Sequence, residues 1–248
     1  MASGNWVSAA HISEHPAQMR TEGGAAAYFR KLWRVTRKEL QTELRAREAI
    51  GAMSAFSVLA VVIFGLAFDL APRMDLIVPG VLWGILLFAG VLGLNRSFGS
   101  EVDKGSLAAL LLAPMDRSAV YFGKVLANFL FILVTQILVL PIILIIFDIN
   151  LFRLWILVGL FLGILGYVFV GTLFAALTVS VRARESMLPI LLLPVMMPLF
   201  VAGVGLTALV LNNREFGDFD HWLLMLGTYD LIFVVIAYLV FDLIWEDV

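Results

Sequence analysis

Between Leu76 and Leu94 the chain reads LIVPGVLWGILLFAGVLGL, an apolar run with no charge in it. About 20 apolar residues in a helix cross the ~30 Å hydrocarbon core of a bilayer. A run of this kind has no place on a soluble domain, and it is not alone. Working outward, comparable runs cover about Gly51–Phe68, Ala119–Phe147, Phe152–Val181, Met187–Leu211 and Trp222–Trp245. The third and fourth are longer than a span needs, so they tilt or project beyond the hydrocarbon. The composition agrees: 62% of the 248 residues are hydrophobic and 15% charged, where a soluble domain is roughly 45–50% apolar and ~25% charged. In lipid every backbone polar group must be satisfied within the chain. The expectation is therefore an all-α polytopic membrane protein of six transmembrane helices.

Residues 1–25 are small and polar and read as a disordered tail, with no apolar signal-peptide core ahead of residue 50. Residues 26–48 change character. Phe29, Leu32, Trp33, Leu40 and Leu44 fall near one helical face, and Arg30, Lys31, Arg34, Arg37, Lys38 and Arg45 crowd the rest. A basic amphipathic helix bearing Trp and Phe suits the membrane interface, although the same pattern fits a solvated helix leading into the first span. Residues 49–248 form the six-helix domain.

The Lys/Arg distribution orients the chain, since cytoplasmic loops carry the excess. Of the 17 Lys and Arg residues, all but Arg73, Arg153 and Arg214 fall on one side of the six spans. Both termini are thus expected in the cytoplasm.

The largest cytoplasmic loop, Asn95–Ser118, reads NRSFGSEVDKGSLAALLLAPMDRS. Glu101, Asp103 and Lys104 are expected to be solvated. Gly105 permits a turn, and Ser106 can cap a helix that begins at Leu107 and ends at Pro114. Leu107, Leu110 and Leu111 would share a face. Such a short apolar helix can dock into a groove on a soluble partner, lie in the interface, or simply begin the third span.

Span five carries Pro189, Pro194 and Pro198 in the run PILLLPVMMP. Each proline removes a backbone donor and disturbs the preceding turn, which suits a moving element, a pathway wall or a static kink. Asp230 lies about two turns into span six and should face protein or water, not lipid. Lys124 and Asp242 lie near span ends and can snorkel. Asn128 and Gln136 in span three can bond between helices.

Several chemistries are absent. The single Gly-Lys pair, Gly123-Lys124, precedes Val125 and lacks the phosphate-loop glycine before it. There is no His-Glu-x-x-His or Gly-x-Ser-x-Gly motif, and no cysteine for a disulfide or thiolate. Of the histidines, His11 and His15 lie in the tail. His221 sits beside Trp222 at the outer end of span six, where it reads as a solvated residue or, less simply, a haem ligand. Asp230 and Asp242 are more than three turns apart and form no dyad on their helix. An intramembrane enzyme is not indicated.

Four stretches resemble one family: RKELQTELRARE at Arg37–Glu48, VPGVLWGILLFAGVLGLNRSF at Val78–Phe98, DKGSLAALLLAPMDRSAVYFGKVLANF at Asp103–Phe129 and LLLPVMMPLFVAGV at Leu191–Val204. They are similar to the cytochrome c maturation protein B family, the membrane subunit of a bacterial haem-exporter-type ABC transporter. The likeness covers about residues 35–210 and is strongest in the second and third stretches. It implies a permease subunit of the bacterial inner membrane acting in c-type cytochrome biogenesis, by haem export or by ATP-driven release of a haem-loaded chaperone. It also implies that Glu101, Asp103, Gly105, Ser106, Leu107, Leu110 and Leu111 form the coupling segment for an ABC ATPase on a separate chain, which holds the ATP. The implied further partners are a second permease copy, a haem-handling membrane subunit and a periplasmic haem chaperone. Haem would be a handled ligand and not a resident cofactor. The residues themselves leave two other readings open: a permease exporting a lipid, polysaccharide or drug, and a non-transporting scaffold that anchors an ATPase.

Overall fold

The computed structural model of the chain describes residues 25–46, 48–68, 73–103, 117–178 and 184–244. Among them all regular structure is helical: α1 (Ala25–Ala46), α2 (Glu48–Phe68), α3 (Met74–Asp103), α4 (Arg117–Phe147), α5 (Leu154–Thr178), α6 (Arg184–Leu211) and α7 (Phe216–Ile244). The helices α2 to α7 each hold a stretch long and apolar enough to cross a membrane, six in all. The expected all-α architecture of six spans is what the chain adopts.

Several helix ends lie two or three residues or more from the sequence reading, and three of them are instructive. First, α3 runs on past Leu94 to Asp103, so Glu101 and Asp103 belong to its last turn and not to a loop. Second, Phe152 and Arg153 precede α5 instead of opening it. The Asn150 side-chain oxygen accepts the Phe152 N–H at 2.8 Å, an Asx turn that holds this connection out of the helix. Third, α7 starts at Phe216, six positions before Trp222. Asp218 lies in its first turn, where an acid complements the positive end of the helix dipole.

The turn between α6 and α7 is a Schellman closure. Asn213 adopts the left-handed conformation (φ 53°). Its N–H reaches the Val210 carbonyl, and the Arg214 N–H reaches that of Leu209, both at 3.1 Å. Arg153 is recruited to the same turn, donating to the Val210 carbonyl at 2.6 Å and to the Asn213 side chain at 2.7 Å. Arg73 adds bonds to Asp75 at 2.9 Å and Asn212 at 3.5 Å. The three basic residues expected on the outer side are Arg73, Arg153 and Arg214. Two of them therefore hold connections together.

The centre of the bundle is α3 and α5. The helix α5 packs on α3, α4, α6 and α7, whereas α2 touches α1, α3 and α4 only. Between helices in lipid no hydrophobic driving force operates, because acyl chains are as apolar as leucine. Association depends on close packing and interhelical hydrogen bonds. Trp83 shows both. A Cβ on Gly163 of α5 or on Gly203 of α6 would run into its indole, and its Nε1–H donates to Thr207 Oγ1 at 3.0 Å. The ring is essentially inaccessible. The outward residues, such as Leu66, Ile145 and Leu231, are large and apolar. They would be a liability in water and are ordinary against lipid.

Candidate functional site

The seam between α5, α6 and α7 gathers the polar and irregular features. Asp230 projects from α7 and is 6% exposed. It fits because Gly166 of α5 has no side chain: a Cβ there would meet the carboxyl oxygen, with Leu199 of α6 and the Tyr229 ring close by. Neither Asp230 oxygen has a hydrogen-bond partner within the described residues. The expectation that this acid faces protein holds, and its bonding capacity is unspent. Gln136 on α4 is the other buried side chain among the described residues with both polar atoms unpaired. The helices α4 and α7 touch each other.

Pro189, Pro194 and Pro198 sit within α6, which continues through all three. Pro194 and Pro198 are on its exposed surface. Pro198 disturbs the turn before it, and Tyr229 of α7 donates its hydroxyl to the Val195 carbonyl of that turn at 3.0 Å. A side chain of α7 thus bonds to the α6 backbone within the proline segment. Tyr229 and Asp230 are adjacent on α7, so one turn of that helix faces both the proline segment of α6 and the glycine of α5.

Where α1 meets α4 the structure corrects the reading of Lys124. It does not snorkel to water. It is 4% exposed, and its Nζ pairs with Glu39 Oε1 of α1 at 3.3 Å. Beside this pair Thr36 donates to the Gly123 carbonyl at 3.0 Å, and Val35 fills the space left by Gly123. Just before them on α4, Tyr121 donates to the Phe169 carbonyl at 2.7 Å. Asn128 donates to Thr172 Oγ1 at 3.2 Å, an interhelical role of the kind expected for it. Nothing in the sequence flagged Glu39 as the partner of Lys124, since the two are far apart along the chain.

The remaining candidates disperse. Of the coupling segment, Gly105, Ser106, Leu107, Leu110 and Leu111 lie outside the described residues, as do the 1–24 tail, His11 and His15. His221 is exposed, close to Asp220 and beside Trp222 at 4.6 Å between rings. No group of three or more potential ligands among the described residues could hold a metal ion. An apolar groove of about 600 Å³ opens between α2 and α3, lined by Phe56, Phe64, Phe68 and Phe88 with Gly80 and Gly84.

The chain matches the family described as "CcmB protein" over residues 30–242, a longer stretch than the four motifs cover. It is 31% identical over 173 residues to Heme exporter protein B of Rhodobacter capsulatus, covering 68% of this chain and 78% of that protein. It is 28% identical over 169 residues to Heme exporter protein B of Haemophilus influenzae, covering 67% and 76%. The match to Heme exporter protein B of Escherichia coli is shorter, 31% identical over 99 residues and 45% of that protein.

Proposed function

The chain belongs to the CcmB family, and on that premise we propose that it is the membrane permease subunit of an ABC transporter acting in c-type cytochrome biogenesis. Its work is haem export or the ATP-driven release of a haem-loaded chaperone, with ATP hydrolysed on a separate subunit. The observation that carries this reading is the family match across residues 30–242, which takes in all six spans. Haem is the cargo or handled ligand. The partners are an ABC ATPase, a second copy of this chain, a haem-handling membrane subunit and a periplasmic haem chaperone.

Both termini lie in the cytoplasm on this reading, which the Lys/Arg asymmetry supports, and the membrane is the bacterial inner membrane, as the family resemblance implies. In that frame α1 lies along the cytoplasmic interface and the segment after α3 contacts the ATPase. Leu110 and Leu111 enter its groove, and Glu101 and Asp103 meet a basic rim. Pro189, Pro194, Pro198 and Asp230 belong to the seam that moves when ATP turns over. The unpaired carboxyl and the prolines support that assignment: the carboxyl holds no bond that a shift of α7 would break, and the missing proline N–H groups weaken the internal ladder of α6, where that helix can bend.

The test is co-purification of an untagged ATPase subunit with the tagged chain. Leu110→Asp should abolish it while the protein still inserts in the membrane, since truncating an interface anchor costs ~2–4 kcal/mol. Glu101→Gln should weaken it mildly, and more at low salt. Normal ATPase binding by Leu110→Asp removes the docking assignment. The chain has no cysteine, so orientation is read separately: a cysteine at Asp218 should react with an impermeant reagent in intact cells and one at Ser106 should not.

A further inference from the structure

The helix α1 is clamped to the bundle along one side, and that clamp dictates what its other sides present. Val35 and Thr36 are buried, and Glu39 is nearly so, turned inward to Lys124. At 100° per residue, the sector next to this buried face carries Phe29, Trp33 and Leu40. Phe29 is 64% and Trp33 56% exposed, so the bundle does not cover them. The next sector carries Arg37, Arg30 and Arg34, all exposed. Between Phe29 and Gln41 the single acid is Glu39, and it is turned to Lys124.

Going round the helix, the order is therefore protein face, aromatic stripe, arginine stripe. Because Glu39, Thr36 and Val35 hold α1 against α4, the helix cannot roll to hide the aromatics. An aromatic stripe beside the bundle belongs at the acyl–headgroup boundary, and an arginine stripe next to it belongs at phosphate level. Guanidinium groups bind phosphate oxygens in paired hydrogen bonds. We propose that the outward face of α1 is a binding surface for anionic phospholipid headgroups, with Phe29 and Trp33 inserted and Arg30, Arg34 and Arg37 on the phosphates. The inference deepens the placement of α1 at the interface and is independent of what the transporter carries.

The test uses the full chain in lipid nanodiscs of phosphatidylcholine mixed with phosphatidylglycerol. A nitroxide on Trp33→Cys reports depth. Lipids retained through purification are counted by native mass spectrometry. We expect the nitroxide below the phosphates and phosphatidylglycerol retained preferentially. Arg30→Gln, Arg34→Gln and Arg37→Gln should together remove that preference, by about fivefold per arginine. Arg214→Gln, at the far end of the bundle, should leave it unchanged. A nitroxide in water overturns the interfacial placement itself. A nitroxide in the membrane, with the triple variant retaining phosphatidylglycerol as the parent does, overturns the anionic-lipid surface alone and leaves a neutral interfacial helix. A nitroxide in water with arginine-dependent binding of an acidic soluble protein assigns the same face to a protein partner and also overturns the proposal.

Discussion

The helices α5 and α7 contribute spans of equal length and nearly equal apolarity, yet 72% of the most apolar stretch of α5 is buried and only 22% of that of α7. Their glycines account for the difference. In α5, Gly159, Gly163, Gly166 and Gly171 each receive a side chain from another helix: Leu206, Trp83, Asp230 with Leu199, and Leu94. In α7, Gly217 and Gly227 face open space, and Leu231, Ile232, Val235 and Leu239 are exposed. In lipid the hydropathy of a residue does not decide whether it faces protein, since both environments are apolar. Close approach decides it, and glycine permits close approach.

The sharpest way to break this comparison is to fill the two kinds of glycine. Gly163→Leu drives a side chain into the Trp83 indole and should destabilise by about 1–3 kcal/mol or more. Gly227→Leu should lie within about 0.5 kcal/mol of the parent. Thermal unfolding of the purified protein measures both, and equal effects would remove glycine packing as the reason for the central place of α5.

The next test concerns the Asp230 carboxyl that α7 seats against Gly166 of α5. Gly166→Ala should cost about 1–3 kcal/mol through its collision with the Asp230 carboxyl. Part of that cost should vanish in an Asp230→Ala background, a coupling of about 0.5–3 kcal/mol. Simple additivity in the double-mutant cycle would mean that Leu199 and not Asp230 is what Gly166 accommodates.

The smallest concerns α7 against α6. Tyr229→Phe deletes the hydroxyl on the Val195 carbonyl and should cost about 0.6 kcal/mol, the average for hydrogen bonds between membrane helices. The cost should shrink when Pro198→Ala lets the turn relax into a regular ladder. A cost that is unchanged in that background would separate the tyrosine from the proline irregularity.

Much of this was legible in the sequence, and the misses share a cause. The spans were found because uninterrupted apolar runs have no other stable home. Their ends were misjudged where helices outrun the hydrocarbon. In α3 the polar Asn95–Asp103 read as loop, and in α7 Asp218 to His221 did. A polar helical turn in water looks, in composition, like a loop. The placement of Asp230 against protein was also foreseeable, from the cost of a carboxyl in lipid. Its lack of a partner was not.

By itself the sequence determined the solvent of this protein, the number of its spans, their helical state and the lopsided distribution of basic residues. Each follows from local composition and from the rule that backbone in lipid must satisfy itself. The folded arrangement alone fixes which of six similar helices lies at the centre, that Lys124 pairs with Glu39 and not water, that Trp83 is held between Gly163 and Gly203, and that Asp230 rests on Gly166 with no hydrogen-bond partner among the described residues. These depend on the rotation and register of helices against partners far away in the chain. That rotation comes from packing, to which the apolar pattern of a single span is nearly blind.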